Sequence, residues 1–287
     1  MIPLIFSIAS ASLIFAIFKL FDRFKIDTFQ AIVVNYITAF LIGLALYSDE
    51  WNPRALEQNN WMIYALLCSL LFIGLFFVMA RSSQINGVAS TSIAVKMSMV
   101  VSLILMIVGY SESFTYFKLL GIIIAFMGLF LVSYEKKKGA KTSATWMLIL
   151  LFFGSGALDF ILNYVQKYEL GVLTPSLFTA IGLGTAGVIG LGILSLKMIL
   201  GRSRLEIRTI IPGILLGIPN YFSIYLLLLS YKTTGWTDSK VLAITNVSIL
   251  IVSAMIGFLA FKENASNQKI IGLISAILAI GILYIAN

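Results

Sequence analysis

Two charged side chains stand deep inside apolar blocks of this sequence. They are Lys96, in AVKMSMVVSLILM, and Asp159, in GSGALDFILNYVQKY. Only 11% of the 287 residues are charged and 60% are hydrophobic, so each charge stands out against its surroundings. A charge at the centre of a membrane helix costs about 2.5–3.5 kcal/mol even on insertion scales, and such residues face a bundle interior and find a partner. Lys96 and Asp159 have opposite signs and lie in different blocks. They are expected either to touch or to share a substrate. A zwitterion such as an amino acid matches both charges, and Asp159 is also a candidate proton acceptor. The plain alternative is a structural ion pair. Asn163 follows Asp159 by four residues and shares its helix face.

Weaker polar candidates surround this pair. Asn246 sits in the middle of its apolar block, where a buried amide needs hydrogen-bond partners. In GILLGIPNYFSIY, Pro219 lacks an N–H and is expected to kink or break its helix. That leaves Asn220 and Tyr221 to line a cavity. Ser12, Asn35 and Tyr36 follow, with interhelical contacts as the competing explanation. Chemistry beyond binding finds little support. The chain has no histidine, which removes His-based zinc sites, Ser–His catalysis and His proton relays. Cys68 is the one cysteine, so no internal disulfide forms. GxxxxGK[ST] does not occur, so an ATP-driven cycle is not expected. No catalytic residue, metal ligand set or cofactor is predicted, and a membrane-embedded enzyme is the remote alternative.

The elements that must position these residues are long apolar helices. Mean hydropathy is +1.02, whereas soluble domains carry roughly 25% charged residues. Blocks near the ~20 residues needed to cross a bilayer predict ten spans: Ile2–Phe21, Phe29–Tyr47, Trp61–Ala80, Val88–Val108, Phe117–Tyr134, Thr145–Val165, Pro175–Leu196, Thr209–Tyr231, Ser239–Ala260 and Gln268–Ala286. The fold class is therefore an all-α integral membrane protein. The ~10-residue alternating segments of a β-barrel are absent. The first span has no basic n-region and no small-residue cleavage site before Lys19, so it reads as a retained helix. Trp51, Trp61, Trp146 and Trp236 fall near span ends, as interfacial anchors do.

Basic residues set the expected orientation. The connections after odd-numbered spans hold Lys19, Arg23, Lys25, Arg81, Lys136, Lys137, Lys138, Lys141, Lys197, Arg202, Arg204, Arg208, Lys262 and Lys269. The opposite connections hold only Arg54, Lys118, Lys167, Lys232 and Lys240. This places the former set in the cytoplasm of a bacterial inner membrane, with both termini outside. The net charge of +8 is accordingly a topology signal, and nucleic-acid binding is not expected.

The two halves resemble each other at one fixed offset. Glu112 matches Glu263, Lys118 matches Lys269 and Gly121 matches Gly272. Arg81–Lys232, Ile93–Ile244, Ser102–Ser253 and Ala125–Ala276 keep the same spacing. A repeat of five spans must enter the membrane in opposite senses, giving two inverted five-helix repeats. The division reads 1–136, a basic connector 137–144, and 145–287. Small residues at Gly182, Ala186 and Gly190, at Gly121 and Ala125, and at Gly272 and Ala276 predict close helix packing.

The segments AVKMSMVVSLILMIVGYSESFTYFKLLGIIIAFMGLFLVSY and AITNVSILIVSAMIGFLAFKENASNQKIIGLISAILAIGILYI resemble the ends of the two repeats of EamA-type transporters in the drug/metabolite transporter superfamily. There a long helix ends in a Glu-containing turn and a Gly-containing helix follows, as at Glu112–Gly121 and Glu263–Gly272. The resemblance implies a ten-helix transporter with a central site between the repeats. The expectation is a secondary transporter, in practice an exporter, of a small polar metabolite, amino-acid-like compounds being favoured. Cation or drug efflux is the alternative. The expected partners are the bilayer, the small-molecule substrate and a proton or other ion, with a homodimer left open.

Overall fold

A computed structural model describes residues 1–46, 61–110, 115–133, 144–165, 168, 175–236 and 238–286. Glu112, Trp51, Lys167 and the 137–143 part of the connector lie outside the described residues. The described chain is helical, in the order α1 (Ile2–Arg23), α2 (Thr28–Ala45), α3 (Trp61–Ile85), α4 in two pieces (Val88–Met97 and Met99–Tyr110), α5 (Tyr116–Ser133), α6 (Thr145–Tyr164), α7 (Pro175–Ile199), α8 (Ile210–Thr233), α9 (Asp238–Met255) and α10 (Asn267–Ala286). A 3-10 turn, Ile207–Thr209, leads into α8, and a π-turn, Ile256–Ala260, ends α9. Among the described residues, eight helical stretches are long and apolar enough to cross a membrane. Tyr116–Leu131 and Ile244–Ala260 are apolar but shorter. The chain is a multi-pass membrane protein.

Helix starts follow local chemistry. Pro3 sits in the first turn of α1, where its missing N–H costs nothing. Asp27 caps α2 by accepting from the Gln30 amide at 2.9 Å. Thr115 and Ser266 play matching parts at α5 and α10. Thr115 Oγ1 accepts from the Lys118 amide and Ser266 Oγ from the Lys269 amide, both at 3.3 Å. Lys118 and Lys269 themselves are buried, at 5% and 3% exposure. Both had been expected in connections. Each sits in the first turn of its helix, folded into protein.

Small residues decide which faces meet. In α5, Gly121, Ala125 and Gly128 turn toward α10, and Leu120, Ile123, Met127 and Phe130 turn outward. A Cβ on Gly121 would meet Leu283 at 2.7 Å and one on Gly128 would meet Ser275 at 3.0 Å. The contact moves down one helix as it moves up the other, so α5 and α10 run antiparallel. The same holds for α2 and α7, where Gly43 lies on Ala180, Gly184 on Phe40 and Gly190 on Val33. It holds again for α4 and α9, where Val88 meets Glu263 and Met99 meets Asn246. Outward-facing large side chains find lipid, so packing rests on van der Waals fit and polar contacts between helices.

Other contacts come in exchanged pairs. As α2 packs on α8, α3 packs on α7; as α1 packs on α8 and α9, α6 packs on α3 and α4. Asn220 Nδ2 in α8 donates to Asn35 Oδ1 in α2 at 3.1 Å. Ser69 Oγ in α3, offset from Asn220 by the repeat spacing, lies 2.6 Å from the Ala65 carbonyl of its own helix and 2.9 Å from the Gly182 carbonyl in α7.

Two expectations change. Trp61 is not an interfacial anchor: it is 2% exposed and packs edge-on against Phe178 at 6.4 Å. The helix α8 also runs unbroken through Pro219. The interruption is in α4, at Ser98, whose Oγ bonds back to the Val95 carbonyl at 2.5 Å. Gly156 of α6 lies against this point, and a Cβ there would stand 2.5 Å from the Ser98 carbonyl oxygen. Gly156→Ala is expected to cost about 1–3 kcal/mol through overpacking against backbone, read as a lower thermal midpoint in detergent. Gly74→Ala, with nothing within 4 Å of the new Cβ, should leave that midpoint unchanged or raise it.

Candidate functional site

The break at Ser98 brings the charged residues into one neighbourhood. Lys96 lies just before it on α4, and Asp159 lies on α6 one turn beyond Gly156, the residue that touches it. Lys96 and Asp159 are close enough for their charges to act on each other. Neither makes an ion pair or a hydrogen bond with a described residue. Lys96 is half-buried, and Asp159 and, one turn on, Asn163 are exposed.

Asn246 reaches the same region from α9. It is 8% exposed, and its Nδ2 lies 3.5 Å from Met99 Sδ, one residue past the break. A thioether is a weak acceptor, so the amide keeps most of its bonding capacity. Three helices from both halves of the sequence, α4, α6 and α9, thus converge around Ser98.

The remaining candidates lie apart from this cluster. Asn35 is fully buried and accepts from Asn220. Its own amide donates to the Ile32 carbonyl at 3.4 Å. The Tyr36 hydroxyl donates to the Phe72 carbonyl at 2.7 Å. Tyr221 is 3% exposed and stacks on Tyr225 at 5.7 Å. Asn35, Asn220 and Tyr36 thus spend polar atoms on helix–helix contacts. Ser12 is buried with its hydroxyl unpartnered among the described residues.

One residue essential to the site's geometry carries only a motif signal in the sequence. The Glu263 carboxylate, in the turn between α9 and α10, accepts from the Val88 amide at 2.6 Å and the Ala89 amide at 3.3 Å. It caps α4 from the other half of the chain, satisfying amides that have no partner within their own helix. The cap dictates its neighbours. Gly87 has φ +99, and a Cβ there would meet the carboxylate at 2.6 Å; one at Gly257 would meet it at 2.8 Å. Around it lies a buried polar run from Ser82 to Ser92. Ser82 Oγ and Thr91 Oγ1 are 2.8 Å apart, and Asn86 Nδ2 donates to Ser82 Oγ at 3.0 Å and to the Ala144 carbonyl at 3.2 Å. Nearby, Gln30 binds the α7–α8 connection, donating to the Arg204 carbonyl at 2.8 Å and accepting from the Glu206 amide at 3.0 Å.

Residues 1–134 match the EamA-like transporter family, of the drug/metabolite transporter superfamily. An uncharacterized protein of Haemophilus influenzae is 25% identical over 289 residues, covering 98% of this chain and 97% of its own length. The matched family segment contains α1 to α5, and therefore Lys96, the Ser98 break and the capped start of α4.

Glu263→Ala is expected to destabilise the protein by about 1–3 kcal/mol, since two buried amides lose their acceptor. Glu263→Gln, which keeps one acceptor oxygen, should cost less. Thermal unfolding of both variants beside the unaltered protein checks the order.

Proposed function

We propose that this protein is a secondary transporter that exports a small polar metabolite, with an amino-acid-like zwitterion as the favoured substrate. Its ten helices cross the bacterial inner membrane as two inverted repeats, 1–136 and 145–287. Both termini face away from the cytoplasm. Antiparallel contact between α2 and α7, α4 and α9, and α5 and α10 supports this repeat, as does the exchange of packing partners between the halves. Helices related by an axis in the membrane plane must meet in that way.

The observation that carries the substrate reading is the arrangement of Lys96 and Asp159. Two opposite charges lie near each other without pairing to each other or to another described residue. A carboxylate on Lys96 and an ammonium on Asp159 would satisfy both at once, with Asn246 and Asn163 as hydrogen-bonding walls. The single-residue interruption of α4 at Ser98 stands beside this pair. Substrate movement would follow alternating access, coupled to a proton or other ion gradient.

A second reading, efflux of lipophilic cations, draws on the rings next to Asp159. Tyr164 lies 5.4 Å from Tyr64, 5.2 Å from Tyr168 and 6.5 Å from Phe160. Aromatic faces attract cations. Lys96 opposes this reading.

Thermal unfolding in detergent against a panel of amino acids, organic acids, sugars, nucleotides and lipophilic cations tests both. A ligand at 100 times its Kd adds about 2.7 kcal/mol to the native state. Stabilisation by zwitterions, lost in Lys96→Ala and in Asp159→Ala, is the expected result. Stabilisation by lipophilic cations alone, retained in Lys96→Met, selects efflux. In reconstituted vesicles, both alanine variants should insert normally and transport nothing; normal transport by both would exclude the central site.

A further inference from the structure

A cleft of about 460 Å³ lies between the end of α1 and the turn that joins α9 to α10. It is lined by Lys19, Asp22, Arg23, Ala260, Phe261 and Lys262. We propose that it binds the phosphate of an anionic phospholipid headgroup. The function of the central site does not enter this inference.

Three cations face the cleft and one acid opposes them. No ion pair joins Asp22 to Lys19, Arg23 or Lys262, so the cationic groups are not neutralised within the wall. Glu263, the neighbouring acid, is committed to the Val88 and Ala89 amides. Lys19 is held in place: it is half-buried, and its Nζ donates to the Gln84 carbonyl at 2.9 Å. An ammonium has three donors, and two remain for an anion. Lys262 stands at φ 51, a left-handed conformation uncommon for a residue with a Cβ. The three cations therefore reach the cleft from two parts of the chain. A phosphodiester oxygen set suits several donors converging from different directions.

The lip of the cleft distinguishes a lipid from a free phosphate. Phe24 is 65% exposed at the end of α1, and Leu259 is 72% exposed beside Ala260. Apolar surface adjoining a cluster of Lys and Arg is the combination that takes a headgroup together with its acyl chains. A bound headgroup would tie α1 to the end of α9, and so one half of the chain to the other.

The test is thermal unfolding of the full chain in zwitterionic mixed micelles, with phosphatidylglycerol, phosphatidylcholine or inorganic phosphate added. Phosphatidylglycerol is expected to raise the midpoint by several degrees and phosphatidylcholine to leave it unchanged. Arg23→Gln with Lys262→Asn should abolish the rise; asparagine tolerates the left-handed backbone, so the fold is kept. Arg202→Gln with Arg204→Gln, an equal loss of charge elsewhere, should retain it. An undiminished rise in the Arg23/Lys262 variant would overturn the site. An equal loss in the Arg202/Arg204 variant would do the same, by reducing the effect to net charge. A full rise with inorganic phosphate alone would overturn the lipid assignment.

Discussion

The first two amides of α4 need an acceptor, and the Glu263 carboxylate supplies it from the far half of the chain. Val88 and Ala89 are fully buried, so water cannot take its place. Much of the fold answers to this one contact. Gly87 and Gly257 must lack side chains to admit the carboxylate. The end of α9 must unwind into the Ile256–Ala260 π-turn, after which the Glu263 amide returns to the Gly257 carbonyl at 3.0 Å. With its start fixed, α4 delivers Lys96 and the Ser98 break to a set depth against α6 and α9.

The break is a second departure from regular backbone, and it follows the same rule. Irregular structure at membrane depth survives where protein covers it or where it lines internal space. Gly156 presses α6 onto the Ser98 carbonyl on one side. On the other, Asn246 approaches from α9. Lys96 and Asp159 lie beside this junction of three helices without forming an ion pair.

Helix positions were legible in the sequence because each apolar block is long and its ends carry charges, prolines or glycines. Lys96 and Asp159 were legible because a charge in such a block has few explanations. Other features depended on residues far apart in the chain. Glu263 meets its partners across a separation of 175 residues, and only the repeated Glu–Gly spacing hinted at its importance. Pro219 is the conspicuous helix breaker, yet α8 continues through it. The real interruption follows Met97, where the local sequence has neither glycine nor proline; the small residue responsible, Gly156, lies in another helix. Trp61 sits at the start of its helix, as an anchor would, but Phe178 and the surrounding α7 side chains enclose it. Likewise Asn35 and Asn220 satisfy each other, a pairing that no periodicity reveals.

The matched contacts between halves are alike in position and unlike in chemistry. One junction is closed by two amide side chains, Asn220 to Asn35; its counterpart is closed by a hydroxyl on a backbone carbonyl, Ser69 to Gly182. Because the two junctions rest on different groups, a substitution or a change of solvent that loosens one need not loosen the other, and the two sides of the molecule differ in how firmly they are held together.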